Sequence, residues 1–246
     1  MRIGIITDIH GNAAALKAVL DELDNRNRVD HIYSLGDMIG IGPNSNEVLD
    51  MLFSRNDISM ITGNHDEAIL ALATGQKYPK SHSHVREHHQ WILDRMDKDF
   101  LTKLAQLPRL IEKNIEGTSI LFMHYHIGKG KLSQPISKDP FSSIVEPSLA
   151  NLNSLFNDRN EDVIFYGHHH PIQCFKGKNR TFLNPGSLGC NNKATAPYAV
   201  VTLLDGMIEI ELEEANYENI TFLESYHKLK VPDREFILKA FHGNQI

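Results

Sequence analysis

The chain has 246 residues, 41% hydrophobic and 23% charged, with 31 acidic side chains against 25 basic and a formal charge of −6. That length supports one large core or two small ones without staples, and the acidic balance argues against a surface built for long nucleic acid. Two cysteines, Cys174 and Cys190, are too few for a disulfide scaffold and read as reduced thiols. No apolar run reaches the ~18 residues of a membrane span.

In chain order, Ile3 to Thr7 is an apolar run of strand length, followed at once by Asp8. A cleaved leader would need about 15 residues or more and would remove that aspartate, so the expected compartment is the cytoplasm. A helix is expected from about Asn12, with Ala13, Leu16, Leu20 and Leu23 on one face. His31–Leu35 reads as the next strand, Gly36–Pro43 as a glycine-rich loop, and Asn44 or Ser45 as the cap of a helix carrying Val48, Leu49, Leu52 and Phe53. Ile58–Thr62 is a third strand, and a further helix runs through Ala68, Ile69 and Leu72. This alternation predicts a parallel sheet in the first half.

Residues 81–107 read as helical, with Val85, Trp91, Ile92, Phe100 and Leu104 as buried candidates, stopped by Pro108. Two strands, Arg109–Ile115 and Thr118–His124, join through Glu116-Gly117 as a hairpin. Residues 126–144 read as loop, Val145–Phe156 as helix and Val163–Tyr166 as strand. Short strands and turns follow from Pro171 to Leu212, with a hairpin at Asp205-Gly206. From about 216 the tail reads as helical and polar. The simplest organisation is one domain over 1–246, with a helical insertion around 75–107 and that tail.

Five clusters carry chemistry: Asp8-Ile9-His10-Gly11, Gly36-Asp37, Gly63-Asn64-His65-Asp66, Met123-His124 and Gly167-His168-His169-His170. Each follows a predicted strand, so their side chains can converge at one sheet edge, where sites form in open sheets. Strand alternation places Asp8 and His10 on one face, where they can grip one cation. A carboxylate such as Asp37 can bridge two cations, and the Asn64 amide oxygen can ligate without adding charge. His65, adjacent to Asn64, points elsewhere and suits the substrate better. His168 and His170 share a face, with His169 turned away. Taken singly, the clusters also read as a cap, a turn or a satisfied core histidine, although the four-residue string Gly63–Asp66 favours function by itself; taken together they read as a site for two metals and an acid or base. His82, His84, His88 and His89 read as a solvated helix face, and Lys129 and Lys131 as a solvated loop.

This set resembles the calcineurin-like metallophosphoesterase superfamily, whose pattern is D-x-H, G-D, G-N-H-[DE], H and G-H-x-H. Gly40-Ile41-Gly42-Pro43-Asn44 and Asn184-Pro185-Gly186-Ser187 resemble its small bacterial and archaeal phosphodiesterase branch. The resemblance implies an α/β fold in four layers, α-β-β-α, with two packed mixed sheets flanked by helices. It implies one metal on Asp8, His10, Asp37 and His170 and another on Asp37, Asn64, His124 and His168, with Asp37 bridging. It further implies that Asn64 and His65 meet the substrate, with His65 as the catalytic group.

Three departures stand out. Tyr125-His126 follows His124 where the family commonly has glycine. The Asp-Arg-Gly that follows Gly-Asp in the family's protein phosphatases is missing after Asp37, which argues against a phosphoprotein substrate. The carboxylate that orients the catalytic histidine in those enzymes has no match.

The expected activity is hydrolysis of a small phosphorylated substrate, a phosphodiester or nucleotide, by hydroxide activated between two divalent ions. Mn²⁺ is favoured by resemblance, and Fe or Zn²⁺ also suits the oxygen and nitrogen donors. His65, as imidazolium, is expected at a phosphate oxygen or the leaving group. A phosphomonoesterase and a dinucleoside polyphosphate hydrolase are the alternatives within the class. A nuclease on long nucleic acid is disfavoured, and a non-catalytic metal-binding interaction module is the rival from another class. No membrane partner is expected, and oligomerisation is left open.

Overall fold

A computed structural model describes residues 1–246. The first sheet runs in the order β10-β9-β1-β2-β3, from β1 (Arg2–Ile6), β2 (His31–Ser34), β3 (Ile58–Met60), β9 (Thr195–Leu204) and β10 (Met207–Asn216). The first three strands are parallel, as the alternation predicts, while β9 and β10 add as an antiparallel hairpin beside β1. The second sheet runs in the order β4-β5-β6-β8-β7, from β4 (Leu110–Ile115), β5 (Thr118–Met123), β6 (Val163–Phe165), β7 (Gln173–Lys176) and β8 (Thr181–Asn184).

The sheets pack face to face. Ile3, Ile5, Tyr33, Ala199, Val201 and Leu203 of the first meet Phe122, Phe165 and Leu183 of the second in one buried cluster. Tyr33 stacks on Phe122 at 3.8 Å between ring centroids. The residues that alternate with them, Ile6, Ile32, Tyr198 and Val200, point the other way. There they bury Leu16, Val19 and Leu20 of α1 (Ala13–Asp21), Val48, Leu49 and Leu52 of α2 (Ser45–Phe53), and Ile69 of α3 (Asn64–Ala73). Helices α4 (Arg86–Leu93) and α5 (Lys98–Leu104) add Ile92 and Leu104 to this layer. The outer face of the second sheet is covered by the short α6 (Leu149–Leu155), whose Leu152 is buried. This is the four-layer α/β arrangement.

Several expectations need correction. Residues 81–107 are a 3₁₀ turn and two short helices, because Asp97 accepts from the Asp99 backbone N–H and caps a fresh start. Of their five buried candidates, Ile92 and Leu104 are buried, whereas Val85, Trp91 and Phe100 are half-exposed. The helix expected from Val145 begins at Leu149, after Pro147, where the Ser148 hydroxyl caps the Asn151 N–H. The strands β9 and β10 are ten residues each, not short. Their turn is the expected Asp205-Gly206, both at positive φ, as Glu116-Gly117 also is.

The tail is helical but not polar. Phe222, Leu223 and Tyr226 of α7 (Ile220–Lys228) and Ile237 and Leu238 of α8 (Arg234–His242) form a third core with Ile41 and Cys190.

Candidate active site

Five strand ends converge: β1 leads to Asp8 and His10, β2 to Asp37, β3 to Asn64 and His65, β5 to His124, and β6 to His168 and His170. The means of convergence differs from strand alternation at the first cluster. β1 stops at Ile6, and Asp8 and His10 stand at φ 52° and 50°. Their loop is held by neighbouring backbone: the Asp8 N–H donates to Gly36 O at 3.1 Å and the His10 N–H to Asp37 O at 2.9 Å.

Two ligand groups form around one carboxylate. Asp37 Oδ2 lies 3.1 Å from His124 Nε2 and 4.0 Å from His10 Nε2. Asp8 Oδ1 lies 3.6 Å from His10 Nε2 and 3.7 Å from His170 Nε2. Asn64 Oδ1 is 3.0 Å from His124 Nε2. The ligating atoms of Asp8, His10 and Asp37 form one set within 4.8 Å, and those of Asp37, His124 and His168 form another. All eight residues expected at the site are therefore brought together. His168 and His170 serve opposite sides of it.

Each carboxylate has one oxygen held and one free to ligate. The Thr7 hydroxyl donates to Asp8 Oδ2 at 2.7 Å and the His168 N–H at 2.9 Å, while Asp8 Oδ1 is buried with no partner. The His65 N–H donates to Asp37 Oδ1 at 2.8 Å. A buried carboxylate oxygen without a donor is costly, and a cation is the partner that its surroundings fit. Imidazole nitrogens also face one another, His10 Nε2 and His170 Nε2 at 3.1 Å. The Nδ1 atoms of His10 and His124 are placed by the backbone carbonyls of Ile39 and Leu35, as in sites where a second hydrogen bond orients a ligand ring.

The electrostatics agree. Burial would raise Asp8 and Asp37, but the facing imidazoles, His124 foremost, outweigh it and hold both well below the usual carboxylate range. Burial would lower His124, but Asp37 and Asp8 raise it to about 9. Burial pushes His168 and His170 down to about 4, leaving them neutral and able to ligate. Burial also drives His65 well below its ordinary value, with Asp37 opposing. The imidazolium expected for His65 is thus not what its surroundings favour.

Three contributors were not legible in sequence. His89, fully buried on α4, sets Nε2 2.8 Å from His65 Nδ1, and Tyr78 OH is 2.8 Å from His89 Nδ1. His82 Nε2 is 2.8 Å from Asn64 Nδ2. The reading of 82–89 as a solvated face therefore fails for His82, His88 and His89, and of the four histidines only His84 is exposed. Histidines scattered through a turn and the start of a short helix carry no signal that separates a site wall from a surface. Lys129 and Lys131 are exposed, as expected.

Residues 1–206 match the model of the calcineurin-like phosphoesterase superfamily domain. The chain belongs to that superfamily. An uncharacterized protein of Methanocaldococcus jannaschii is 28% identical over 94% of both chains. A symmetrical bis(5'-nucleosyl)-tetraphosphatase of Paracidovorax citrulli is 34% identical over half of this chain and 44% of that protein. Among solved structures, a metallophosphoesterase from Sphaerobacter thermophilus shares the fold with a TM-score of 0.69, at 22% identity over 97% of each chain. This chain is accordingly a phosphoesterase of a family that uses divalent metals.

The family's motif glycines have a steric reason in this phosphoesterase. A Cβ at Gly63 would lie 2.2 Å from Asp37 Oδ1, and one at Gly167 would lie 2.0 Å from Thr7 Oγ1 and 2.6 Å from Asp8 Oδ2. The strand ends approach so closely that only a bare backbone fits between the carboxylates. The Asn184–Ser187 segment acts as a clamp: the Asn184 amide donates to Gly167 O at 3.3 Å, and the Ser187 hydroxyl donates to Asp8 O at 2.8 Å.

Proposed function

We infer that this phosphoesterase hydrolyses a phosphodiester of a nucleotide or similar small molecule at a centre of two divalent ions, with Mn²⁺ as first choice. The observation that carries the reading is Asp37, a single buried carboxylate whose Oδ2 faces both ligand groups. Asp8, His10, Asp37 and His170 would hold one ion, and Asp37, Asn64, His124 and His168 the other. All are oxygen or nitrogen donors, which suits Mn²⁺, Fe or Zn²⁺. Cys190 also reaches the His10 and His170 group, but burial pushes its thiol up, so it is not offered as a thiolate. Divalent ions at such a site polarise phosphoryl oxygens and lower the pKa of water toward ~7.

The chain's own groups do the rest. Thr7 and the His168 N–H fix Asp8, and the His65 N–H fixes Asp37, so the ligands are set before anything binds. The His65 ring, 5.3 Å from that of His10, stands at the edge of the centre, where it would meet a phosphate oxygen or the leaving oxygen. His89, in turn held by Tyr78, takes the orienting place that a carboxylate fills in the protein phosphatases. The partner is a small phosphorylated molecule rather than long nucleic acid. No helix is long and apolar enough to cross a membrane. The two cysteines, unpaired in the fold, agree with a cytoplasmic setting.

A second reading, hydrolysis of a dinucleoside polyphosphate, is supported by the relatives named as symmetrical tetraphosphatases, although they match over half the chain or less. The test is turnover by metal-stripped protein with Mn²⁺ restored, comparing bis(p-nitrophenyl) phosphate with p-nitrophenyl phosphate. Metal-dependent cleavage of the diester is expected. Cleavage of the monoester alone would overturn the diester reading.

A further inference from the structure

Behind His65, on the side away from Asn64, lies a cavity of about 370 Å³ that the reaction chemistry leaves unused. One wall is the loop after β2, with Gly40 and Ile41; Gly40 sits so close that a Cβ there would be 2.6 Å from the His65 Cβ. The opposite wall is α8, outside the 206 residues that the family model matches. From α8 come Phe236 and Phe241, their rings 6.3 Å apart and nearly perpendicular. Phe241 reaches inward to within 5.8 Å of the His170 ring. Phe236 is 62% exposed at the mouth, although its neighbours Ile237 and Leu238 are buried. An exposed phenylalanine at the lip of a cavity beside a reacting centre is apolar area awaiting a partner.

The cavity is not purely apolar. His88 lines it at 2% exposure, and neither of its ring nitrogens makes a hydrogen bond. The carbonyls of Ile41 and Pro232 face that ring without reaching hydrogen-bond geometry. Asp233 adds a carboxylate. Apolar and aromatic walls with a few polar groups describe a site for a ring that carries donors and acceptors. The cavity on the other side of the centre, about 530 Å³, is different in kind. Beside Asn64 and His168 it presents Lys80, Ser81, Asp139, Ser142 and Ser143, a lining more polar than that behind His65.

We propose that the His65 cavity is the leaving-group subsite and that it takes a nucleoside, with the base between Phe236 and Ile41. This deepens the proposed function and rests on it for the direction in which the leaving oxygen points. A phosphate seated on the Asp37 centre with its leaving oxygen toward His65 would direct that substituent to the cavity that His65 lines. The C-terminal helices thereby supply specificity to a centre that the rest of the chain builds.

The probe is adenosine, which carries no phosphate, added to metal-free protein. Trp91, the single tryptophan, lies with its ring parallel to that of His88 at 6.2 Å, so its fluorescence reports on the cavity. Saturable quenching is expected at millimolar adenosine. Phe236→Ala, an exposed position whose replacement leaves the core intact, should weaken binding about tenfold, the scale of one lost base–aromatic stack. Val85→Phe, which fills the cavity from the turn before α4, should abolish it. In the metal-loaded enzyme, Phe236→Ala should lower the preference for a nucleoside over a methyl leaving group by a similar factor. No saturable change, or adenosine affinity indifferent to both variants, overturns the subsite. Because binding is read without metal or turnover, loss of the hydrolytic reading would show separately, as adenosine binding with no diester cleavage.

Discussion

Gly167→Ala puts the geometry of the centre under the most direct strain. The added Cβ would lie 2.0 Å from Thr7 Oγ1, 2.6 Å from Asp8 Oδ2 and 3.0 Å from Thr7 Cβ. Relief needs a displacement of about 1 Å, and the 0% exposure of Thr7 and Asp8 leaves no direction that is free. Overpacking of this kind costs about 1–3 kcal/mol. The hydroxyl that holds Asp8 Oδ2 must turn away, so Oδ1 loses its position as well. A ligand misplaced by ~1 Å costs on the order of 10²-fold in turnover. The assays are Mn²⁺ titration by calorimetry, a denaturant melt and diester turnover. The double variant Thr7→Ala/Gly167→Ala separates the two effects, since it removes the 2.0 Å clash but leaves Asp8 at 2.6 Å. Its stability should recover in part, non-additively, while metal affinity stays weak. Wild-type metal affinity and turnover in Gly167→Ala would refute the claim that close approach of strand ends sets the ligands.

Other outcomes follow from the same contacts. His89→Ala should lower kcat about tenfold, the scale of one lost hydrogen bond to His65, with metal stoichiometry unchanged and partial rescue by His89→Gln; undiminished kcat would remove His89 from the site. Burial pushes His242 down to about 4 from 6.5, and its Nε2 meets Tyr226 OH at 3.0 Å. The unfolded chain binds that proton first as pH falls, so the stability from this group is complete above pH 6.5 and drains toward pH 4. The loss is roughly 3 kcal/mol at most. Denaturant melts across that range should show a shallower pH dependence in His242→Phe than in wild type, and identical slopes would contradict the assignment. Mn²⁺ at about a hundred times its Kd should stabilise the protein by ~2.7 kcal/mol, reversed by chelator; a melt insensitive to both would argue against a built metal site.

The first sheet was legible because β1, β2 and β3 are short, largely apolar segments, each followed by a glycine-containing turn and then a helical pattern. The centre was legible because all its ligands follow strand ends, although Asp8 and His10 meet through left-handed loop residues rather than by alternation. What was lost depended on distant partners. The polar reading of the tail weighed its charges and overlooked the spacing of Phe222, Leu223 and Tyr226, whose common face is buried only once Ile41 and Cys190 come to meet it. His88 and His89 look like any histidine pair on a short helix, and only the fold brings α4 against His65 and Gly40. Thr7 has no motif signal at all, because its hydroxyl matters through the neighbouring carboxylate.

The central claim is that one carboxylate, Asp37, joins two metal sites. Electron paramagnetic resonance of metal-stripped protein titrated with Mn²⁺ tests it most directly. Two equivalents should bind and give an exchange-coupled pair signal, which Asp37→Ala should abolish. A single equivalent, or two that give only the signals of isolated ions, would contradict it.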